Sequence, residues 1–212
     1  MIKIKDPVSG FSHLIGSVLS IIGTYFLLVN ARNTEEIICF LVFGITSFLL
    51  YSASTNYHLF GKPASEIGYL RKIDHASIYL LIAGTFTPFC VLAIERPLGL
   101  IVLTFVWVLG IIGFSAMFIN SFWEHFPRWA ATGLYLLMGW VSLFIIYPLR
   151  IYPLLLLLLL LGGIFYTIGA VIYAIKKPNL FKGFGFHELF HIFVLLGTIC
   201  HYIAIYNIVF LI

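Results

Sequence analysis

The last apolar run of the chain, residues 187–210, begins with the stretch FHELFH at residues 186–191. Its two histidines, His187 and His191, are four residues apart, which places them one turn apart on one face of a helix. Two imidazoles at that spacing can bind one metal ion, and the string His-Glu-x-x-His occurs on the metal-binding helix of zinc proteases. The same two side chains could instead hydrogen-bond backbone carbonyls at a helix end.

The chain around this stretch is too apolar for a soluble domain. Of its 212 residues, 62% are hydrophobic and only 9% are charged, and the mean hydropathy is +1.09. The apolar runs have the length of a membrane-spanning helix, roughly 20 residues, whereas the strands of an outer-membrane barrel alternate over about 10. We therefore predict an all-α integral membrane protein. The net charge of +4 comes from basic residues in short connections, so no nucleic-acid partner is expected.

Seven apolar segments predict a seven-transmembrane helix bundle, with residues 1–212 as a single domain. The first segment follows Lys3 and Lys5, as in a signal peptide, but it ends at Arg32 without a small-residue cleavage site, so we expect a retained span. The leucine run at 154–161 is typical of a helix that faces lipid. The predicted spans lie at about 11–30, 37–58, 73–94, 98–119, 129–147, 152–175 and 187–210.

The basic residues predict the orientation of the bundle. Nine of the twelve Lys and Arg residues lie at the ends that include the amino terminus, and three lie at the opposite ends. Basic residues favour the cytoplasmic side, so we expect the amino terminus in the cytoplasm and the carboxyl terminus outside, in a multi-pass protein of the plasma (cytoplasmic) membrane. The nine are Lys3, Lys5, Lys62, Arg71, Lys72, Arg128, Lys176, Lys177 and Lys182, and the three are Arg32, Arg96 and Arg150.

This topology places several polar side chains at one depth. Span two ends near His58, span three begins near Asp74 and span seven begins near His187, all at the cytoplasmic side. Ser54 lies one helical turn before His58 and on the same face. Because the span limits depend only on hydropathy and basic charge, their agreement with the pair His187 and His191 is independent support for one shared site.

Three histidines in this layer match the ligands of a catalytic zinc ion, which takes three protein ligands and leaves a fourth position for water. We predict His58, His187 and His191 as the metal ligands and Zn²⁺ as the cofactor. Bound zinc lowers the pKa of its water towards about 7 and so provides hydroxide. A carboxylate beside that water can orient it and accept its proton.

Asp74 and Ser54 are the candidate catalytic residues. Asp74 is one of only two aspartates in the chain, the other being Asp6 in the polar amino-terminal tail. An ionisable side chain at the end of a span is a candidate for function, although Asp74 could also cap the start of span three. Ser54 could hydrogen-bond a ligand, the zinc-bound water or a developing oxyanion, or simply the backbone carbonyl one turn before it.

Glu188 has two interpretations. In soluble zinc proteases this glutamate is the general base, but a carboxylate here could instead stabilise the positive start of the helix. A protease would also need a third ligand downstream, where no Asp or Glu follows His191. His201 lies ten residues further, about 15 Å along the helix axis, which is too far for the same ion. His58 is therefore the expected third ligand, and Asp74 rather than Glu188 the expected partner of the water.

The remaining histidines are expected to have other roles. His75 follows Asp74 but points about 100° away around its helix. His13 sits near the cytoplasmic end of span one, either beside the site or at the membrane interface, and His125 lies in a connection and is expected in solvent. His201 is expected to hydrogen-bond inside the bundle, with a polar cavity or proton path as the alternative.

Three separated motifs stand in order along the chain. They are Ser54-x-x-x-His58, the stretch DHASIYLLIAGTFTP at 74–88, and His187-x-x-x-His191 with His201. Together they resemble the hemolysin III family, the bacterial branch of the progestin and adipoQ receptor (PAQR) superfamily, over essentially the whole chain. Asn56 departs from the apolar residue expected between the serine and the histidine, without touching a ligand position.

The resemblance implies a seven-helix bundle with a zinc ion near the cytoplasmic side, held by three histidines and a water that an aspartate contacts. Transferred residue by residue, the ligands are His58, His187 and His191, the aspartate is Asp74 and the motif serine is Ser54. Alkaline ceramidases share the pattern, so the resemblance also implies hydrolysis of a lipid amide. The long amino-terminal extension of the animal receptors is not in this sequence, so hormone sensing is not expected.

Three hypotheses follow for the function. The first is a zinc-dependent, ceramidase-like hydrolase that cleaves an amide or ester of a membrane lipid or lipid-like substrate. The second is a non-enzymatic sensor or membrane-homeostasis protein, in which zinc only joins spans two and seven. The third is a cytolytic pore, which the almost uniformly apolar spans disfavour because a water-filled pore needs a polar stripe. Small residues such as Gly162 and Gly163 suit packing within the bundle as well as a homo-oligomer.

Overall fold

A computed structural model describes residues 6–60, 68–119 and 127–211 of the chain, and most of these residues are helical. The helices are α1 (Pro7–Asn30), α2 (Thr34–Phe60), α3 (Tyr69–Pro88), α4 (Leu98–Ala116), α5 (Arg128–Trp140), α6 (Leu143–Leu149), α7 (Pro153–Ile175) and α8 (Phe186–Leu211).

The seven predicted spans are confirmed. Seven helical stretches are long and apolar enough to cross a membrane, with α5 and α6 together forming the fifth, and their limits agree with the predicted ones to within a few residues. Two spans start four residues earlier than hydropathy indicates, at Pro7 and at Tyr69. Pro7 suits the first helical position, where its missing N–H would have no helical partner in any case. The third span starts early because polar residues after Tyr69 continue the helix beyond the apolar segment.

Two spans are less regular than the sequence predicts. α3 contains Pro88 near its end and continues as one π-helical turn, Phe89–Ala93. Proline removes a backbone donor and crowds the preceding turn, which accounts for the change of helix type there. The fifth span breaks between Trp140 and Leu143, and nothing in the local sequence explains that break.

Helix packing in the bundle is closest between neighbours in sequence. α1 packs extensively on α2, α2 on α3, and α7 on α8, while α5 approaches α3 and α7 at fewer positions. Large apolar side chains such as Leu157 and Ile21 remain exposed on the outside, as expected for surfaces that meet lipid. The leucine run faces lipid on only part of its surface, because Leu155 and Leu159 are buried in the core.

This arrangement brings the ends of several helices together at one end of the bundle. They include the start of α1, the end of α2, the start of α3 and the start of α8, and residues from these four line one cavity. The described residues thus form an all-α bundle of seven apolar spans, as predicted. That this end faces the cytoplasm stays a prediction.

Candidate metal centre

The three predicted ligands come together at this end of the bundle. His58 comes from the last turn of α2, whereas His187 and His191 come from the first two turns of α8. One ring nitrogen of each histidine lies within 4.8 Å of those of the other two, and the ring centroids are 4.7 to 5.0 Å apart. His58 and His191 are buried, and His187 is half-buried. Residues separated by more than 120 positions therefore form one cluster of imidazoles.

The start of α8 is held by Glu188. Its Oε2 accepts a hydrogen bond of 2.7 Å from the backbone N–H of Gly185, just before the helix begins. A carboxylate that reaches back to an unpaired N–H stabilises the first turn and complements the positive end of the helix. Of the two interpretations of Glu188, the contact at the helix start is the one observed, although the side chain also lines the cavity.

Asp6 holds the ring of His58 from the side of α1. Asp6 Oδ2 lies 3.2 Å from Nδ1 of His58, and the backbone N–H of Asp6 donates to the backbone carbonyl of His58 at 3.0 Å. An ionised carboxylate can only accept, so Nδ1 carries the hydrogen and Nε2 is left as the nitrogen that can bind a metal. Asp6 is predicted from the sequence to lie in the polar tail and not at this site, although the predicted topology puts the start of span one at this same end.

His13 is a direct neighbour of the cluster and not an interfacial residue. Its ring is buried, with its centroid 3.9 Å from that of His191 and 5.0 Å from that of Tyr51 in an edge-on contact. Among the residues that the structure describes, neither ring nitrogen of His13 has a hydrogen-bond partner. The side chain therefore packs on a predicted ligand without being one of the three clustered imidazoles.

A cavity of about 1280 Å³ extends from the histidines into the bundle. The histidine end is polar, whereas most of the remaining wall is apolar and includes Phe89, Met117 and Leu159. Some wall residues, such as Trp140 and Ile164, are exposed, so the cavity is not fully enclosed by the bundle. Pockets for small ligands have volumes of about 300–1,000 Å³, and this cavity is larger.

Asp74 and Ser54 line the same cavity as the three histidines. Asp74 is half-buried and lies five residues after the first residue of α3, whose cap is Gly68. The alternative that Asp74 caps span three is therefore wrong. Ser54 is almost fully buried one turn before His58. His75, expected to point away, also lines the cavity. The catalytic roles of Asp74 and Ser54 stay predictions.

His201 lies deeper in the bundle and outside the cluster. Its Nε2 donates to the backbone carbonyl of Leu159 on α7 at 3.2 Å, which confirms the expected hydrogen bond inside the bundle. Gly162 makes this contact possible, because a Cβ at that position would collide with the imidazole of His201. His125, expected in solvent, is outside the described residues.

The donor set could hold a metal ion. Three imidazole nitrogens are ligands that zinc and other first-row transition metals accept, and the cavity side of the cluster leaves room for a further ligand. Two nitrogens bound to one zinc ion at 2.0–2.1 Å are at most about 4 Å apart. A spacing of up to 4.8 Å needs only small side-chain rotations to reach this. The fold and the site thus define a multi-pass membrane protein with a candidate metal centre in a large, mainly apolar cavity.

Comparison with known proteins gives this class a family. The sequence profile of the family described as "Haemolysin-III related" matches residues 1–202, and the chain belongs to that family. It is 36% identical to "Hemolysin-3" of Bacillus cereus over 92% of this chain and 87% of the relative. It is 37% identical to "Hemolysin-3 homolog" of Bacillus subtilis (strain 168) over 93% of this chain and 92% of the relative.

A more distant relative connects the family to the PAQR superfamily. The chain is 27% identical to "Adiponectin receptor protein" of Drosophila melanogaster over 91% of its own length, but it covers only 48% of that relative. The resemblance to the hemolysin III branch of the PAQR superfamily is therefore confirmed.

Proposed function

We propose that the protein is a zinc-dependent membrane hydrolase that cleaves an amide or ester bond of a lipid. The observation that carries the proposal is the position of the three-histidine cluster at the polar end of a large cavity with mainly apolar walls. A lipid can place its carbonyl group beside the histidines while its chain occupies the apolar part. The cluster thus suits the polar carbonyl group of such a substrate, and the cavity suits its apolar chain.

The residues of the chain have distinct tasks in this reaction. Zinc bound by the histidines would supply a Lewis acid and an acidified water. Asp74 accepts the proton of the attacking water and returns it to the leaving nitrogen or oxygen, as the water oxygen binds the carbonyl carbon and the amide or ester bond breaks. The Ser54 hydroxyl donates a hydrogen bond to the carbonyl oxygen as that atom gains charge. The apolar walls exclude bulk water from the reacting groups.

The proposal includes the membrane as the source of the substrate. Trp140, Leu143 and Ile164 line the cavity and are exposed, and we place the entry of the lipid chain at these residues. The distribution of basic residues favours placing the histidine end at the cytoplasmic face of the plasma membrane. The substrate is then a lipid of the inner leaflet.

Metal analysis and lipid turnover test the proposal. Protein purified in detergent is expected to contain about one zinc per chain and to hydrolyse at least one member of a panel of ceramides and phospholipid esters. Asp74→Asn should keep the metal and lose most of the turnover. Protein without stoichiometric metal would contradict the metal centre, and unchanged turnover in Asp74→Asn would contradict the role of Asp74.

A structural zinc site without turnover is the second candidate. The cluster joins α2 to α8, whose side chains are also linked by a hydrogen bond of 2.6 Å from Tyr51 to Thr198. A metal at the cluster would add a further connection between these two helices. Loss of metal and a large loss of thermal stability in His187→Ala, with no turnover of any lipid by the wild type, would favour this candidate.

Lysis of membranes is a third candidate, favoured only by the names of the Bacillus relatives. The mainly apolar wall of the cavity offers no continuous polar stripe for a water-filled pore. Dye leakage from liposomes that contain the wild type, and equal leakage from His58→Ala, would favour a pore over both zinc-dependent candidates.

A further inference from the structure

We propose that Asp6 is a positioning residue of the metal centre, which orients the His58 imidazole so that its Nε2 points to the metal. The proposal rests on the metal centre of the proposed function but not on its hydrolytic activity. The juxtaposition that carries it is the carboxylate of Asp6 beside Nδ1 of His58, together with the backbone hydrogen bond between the same two residues.

The two contacts hold the imidazole in different ways. The backbone bond, 3.0 Å from the Asp6 N–H to the His58 carbonyl, joins the start of α1 to the last turn of α2. The side-chain contact, 3.2 Å long, acts on the ring itself. Since the His58 side chain is only 2% exposed, bulk water hardly competes with Asp6 for Nδ1.

The chemistry of the contact matches a recurrent feature of metal sites. A ligating histidine commonly donates its second N–H to a carboxylate, which sets the tautomer and the ring orientation and makes the ligating nitrogen more basic. Asp6 makes this contact from the Nδ1 side of the ring and so lies on the opposite side from Nε2. Its carboxylate therefore acts through His58 and does not replace it as a ligand.

The local structure keeps Asp6 in place independently of its carboxylate. Pro7 follows it and starts α1, and a residue before proline favours an extended backbone, which agrees with the φ of −130° and ψ of 81° at Asp6. One turn later, Gly10 packs directly on Leu59, where a Cβ would collide with the leucine side chain. This docking of α1 on the end of α2 remains when only the Asp6 side chain is changed.

α1 also contacts the other ligand-bearing helix from the same face. His13 is seven residues after Asp6, two helical turns along one side of α1, and its ring packs on His191 of α8. The start of α1 thus touches one ligand from α2 and one from α8. Of Asp6 and His13, Asp6 is the residue whose side chain accepts a hydrogen bond from a predicted ligand, at Nδ1 of His58.

The experiment compares Asp6→Ala and Asp6→Asn with the wild type in full-length protein, with Glu95→Gln as the matched control. Glu95 is an exposed acid in the connection before α4, at the opposite end of the bundle. Zinc affinity is measured by competition with a chelator, the geometry of the site by the absorption spectrum of the cobalt-substituted protein, and thermal stability with and without zinc.

Asp6→Ala is expected to weaken zinc binding by about 10–100-fold and to alter the cobalt spectrum. Asp6→Asn, whose amide oxygen still accepts from Nδ1, is expected to lose less affinity, and Glu95→Gln none. The melting temperature of Asp6→Ala should fall more with zinc than without it, because without zinc only the hydrogen bond to His58 is lost. A merely structural role would lower both melting temperatures equally.

Unchanged zinc affinity and an unchanged cobalt spectrum in Asp6→Ala would overturn the proposal, as would an equal loss of stability with and without zinc. These outcomes differ from a failure of the proposed function. If the wild type binds no metal, both the metal centre and the proposed role of Asp6 are contradicted. If the wild type binds zinc but cleaves no lipid, only the hydrolase is contradicted, and the zinc affinity of Asp6→Ala still tests the role of Asp6.

Discussion

The two ends of the bundle both bury charged or polar groups, but the hydrogen-bond partners of these groups come from different parts of the chain. At the end opposite the histidines, the buried carboxylate of Glu36 accepts hydrogen bonds from the backbone and side chain of Arg32 and from the side chain of Asn33. All of these partners lie within four residues of Glu36. At the histidine end, the partner of His58 is Asp6, 52 positions away, and the ligands come from two helices.

The groups at the two ends also differ in what they leave unpaired. Most buried polar atoms in folded proteins have a hydrogen-bond partner. Among the described residues, Nδ1 of His191 and both ring nitrogens of His13 have none, whereas Glu36 has several. A polar cluster whose hydrogen-bond partners are all close in sequence stabilises a helix end. A cluster drawn from distant helices, incompletely paired and open to a cavity, has the properties of a site for a ligand.

The strongest test of this comparison removes one ligand. His191→Ala is expected to abolish stoichiometric metal binding and with it any lipid hydrolysis, because two histidines remain where three are needed. The measurement is elemental analysis of the purified variant, followed by turnover of the lipid that the wild type cleaves. Glu36→Gln, the matched change at the other end, should keep the full metal content.

Metal retained at the wild-type level in His191→Ala would show that the cluster is not the metal centre. Loss of metal from both His191→Ala and Glu36→Gln would show that metal binding depends on the general stability of the fold. The distinction between the two ends would then fail.

The next largest effect is expected from Asp74→Asn. Removing the proposed proton acceptor should lower turnover by about 10²–10⁴-fold while metal content stays at the wild-type level, because Asp74 is not one of the three clustered ligands. Single-turnover kinetics beside metal analysis would separate the two effects. Loss of metal from Asp74→Asn would instead make Asp74 part of the metal-binding set.

Much of this end could be predicted from the sequence because two simple physical constraints act on it. The thickness of the bilayer sets the length of the apolar segments, so the span limits follow from hydropathy. Helical geometry sets the relation of His187 to His191, and the common depth of three span ends adds His58. Neither constraint needs any knowledge of side-chain packing, which is why both gave correct results.

What could not be predicted depends on where helices begin and on contacts between them. Asp6 precedes the first apolar segment and was assigned to a tail, because hydropathy does not show that α1 starts at Pro7 and docks on the end of α2. Asp74 was a candidate cap for the same reason, since the polar start of α3 is invisible to hydropathy. The position of His13 on His191 requires the packing of α1 against α8.

A smaller effect is expected at the opposite end. Glu36→Gln removes the charge that pairs with Arg32 at 2.8 Å and weakens the hydrogen bonds around it, which should lower the stability by about 1–3 kcal/mol. Half of the Arg32 side chain is exposed, so the lower part of that range is expected. Reversible unfolding in mixed detergent measures the change. An equal loss of stability from Glu95→Gln would attribute it to net charge and not to the paired cluster.

The smallest effect is expected from Glu188→Gln, although this residue is adjacent to His187. Glu188 resembles Glu36 more than it resembles its neighbours, because its observed partner is the N–H of Gly185, three residues before it. A glutamine oxygen can still accept that hydrogen bond, so only the charge at the helix start is lost, which is worth about 0.3–1 kcal/mol. Metal content and turnover should stay at wild-type levels, as elemental analysis and the lipid assay would show.

This substitution is the sharpest test of the comparison, because Glu188 lies beside a predicted ligand but has a local hydrogen-bond partner. It therefore shows whether closeness to the histidines alone makes a carboxylate functional. If Glu188 acted as the base of a protease-like site, Glu188→Gln would abolish turnover while leaving metal bound, as the string His-Glu-x-x-His alone predicts. Asp74→Asn would then have little effect on turnover. The opposite pattern, with turnover lost in Asp74→Asn and kept in Glu188→Gln, would show that the carboxylate from a distant helix does the chemistry. The carboxylate of Glu188, which accepts a hydrogen bond at the start of its own helix, would then only stabilise the fold.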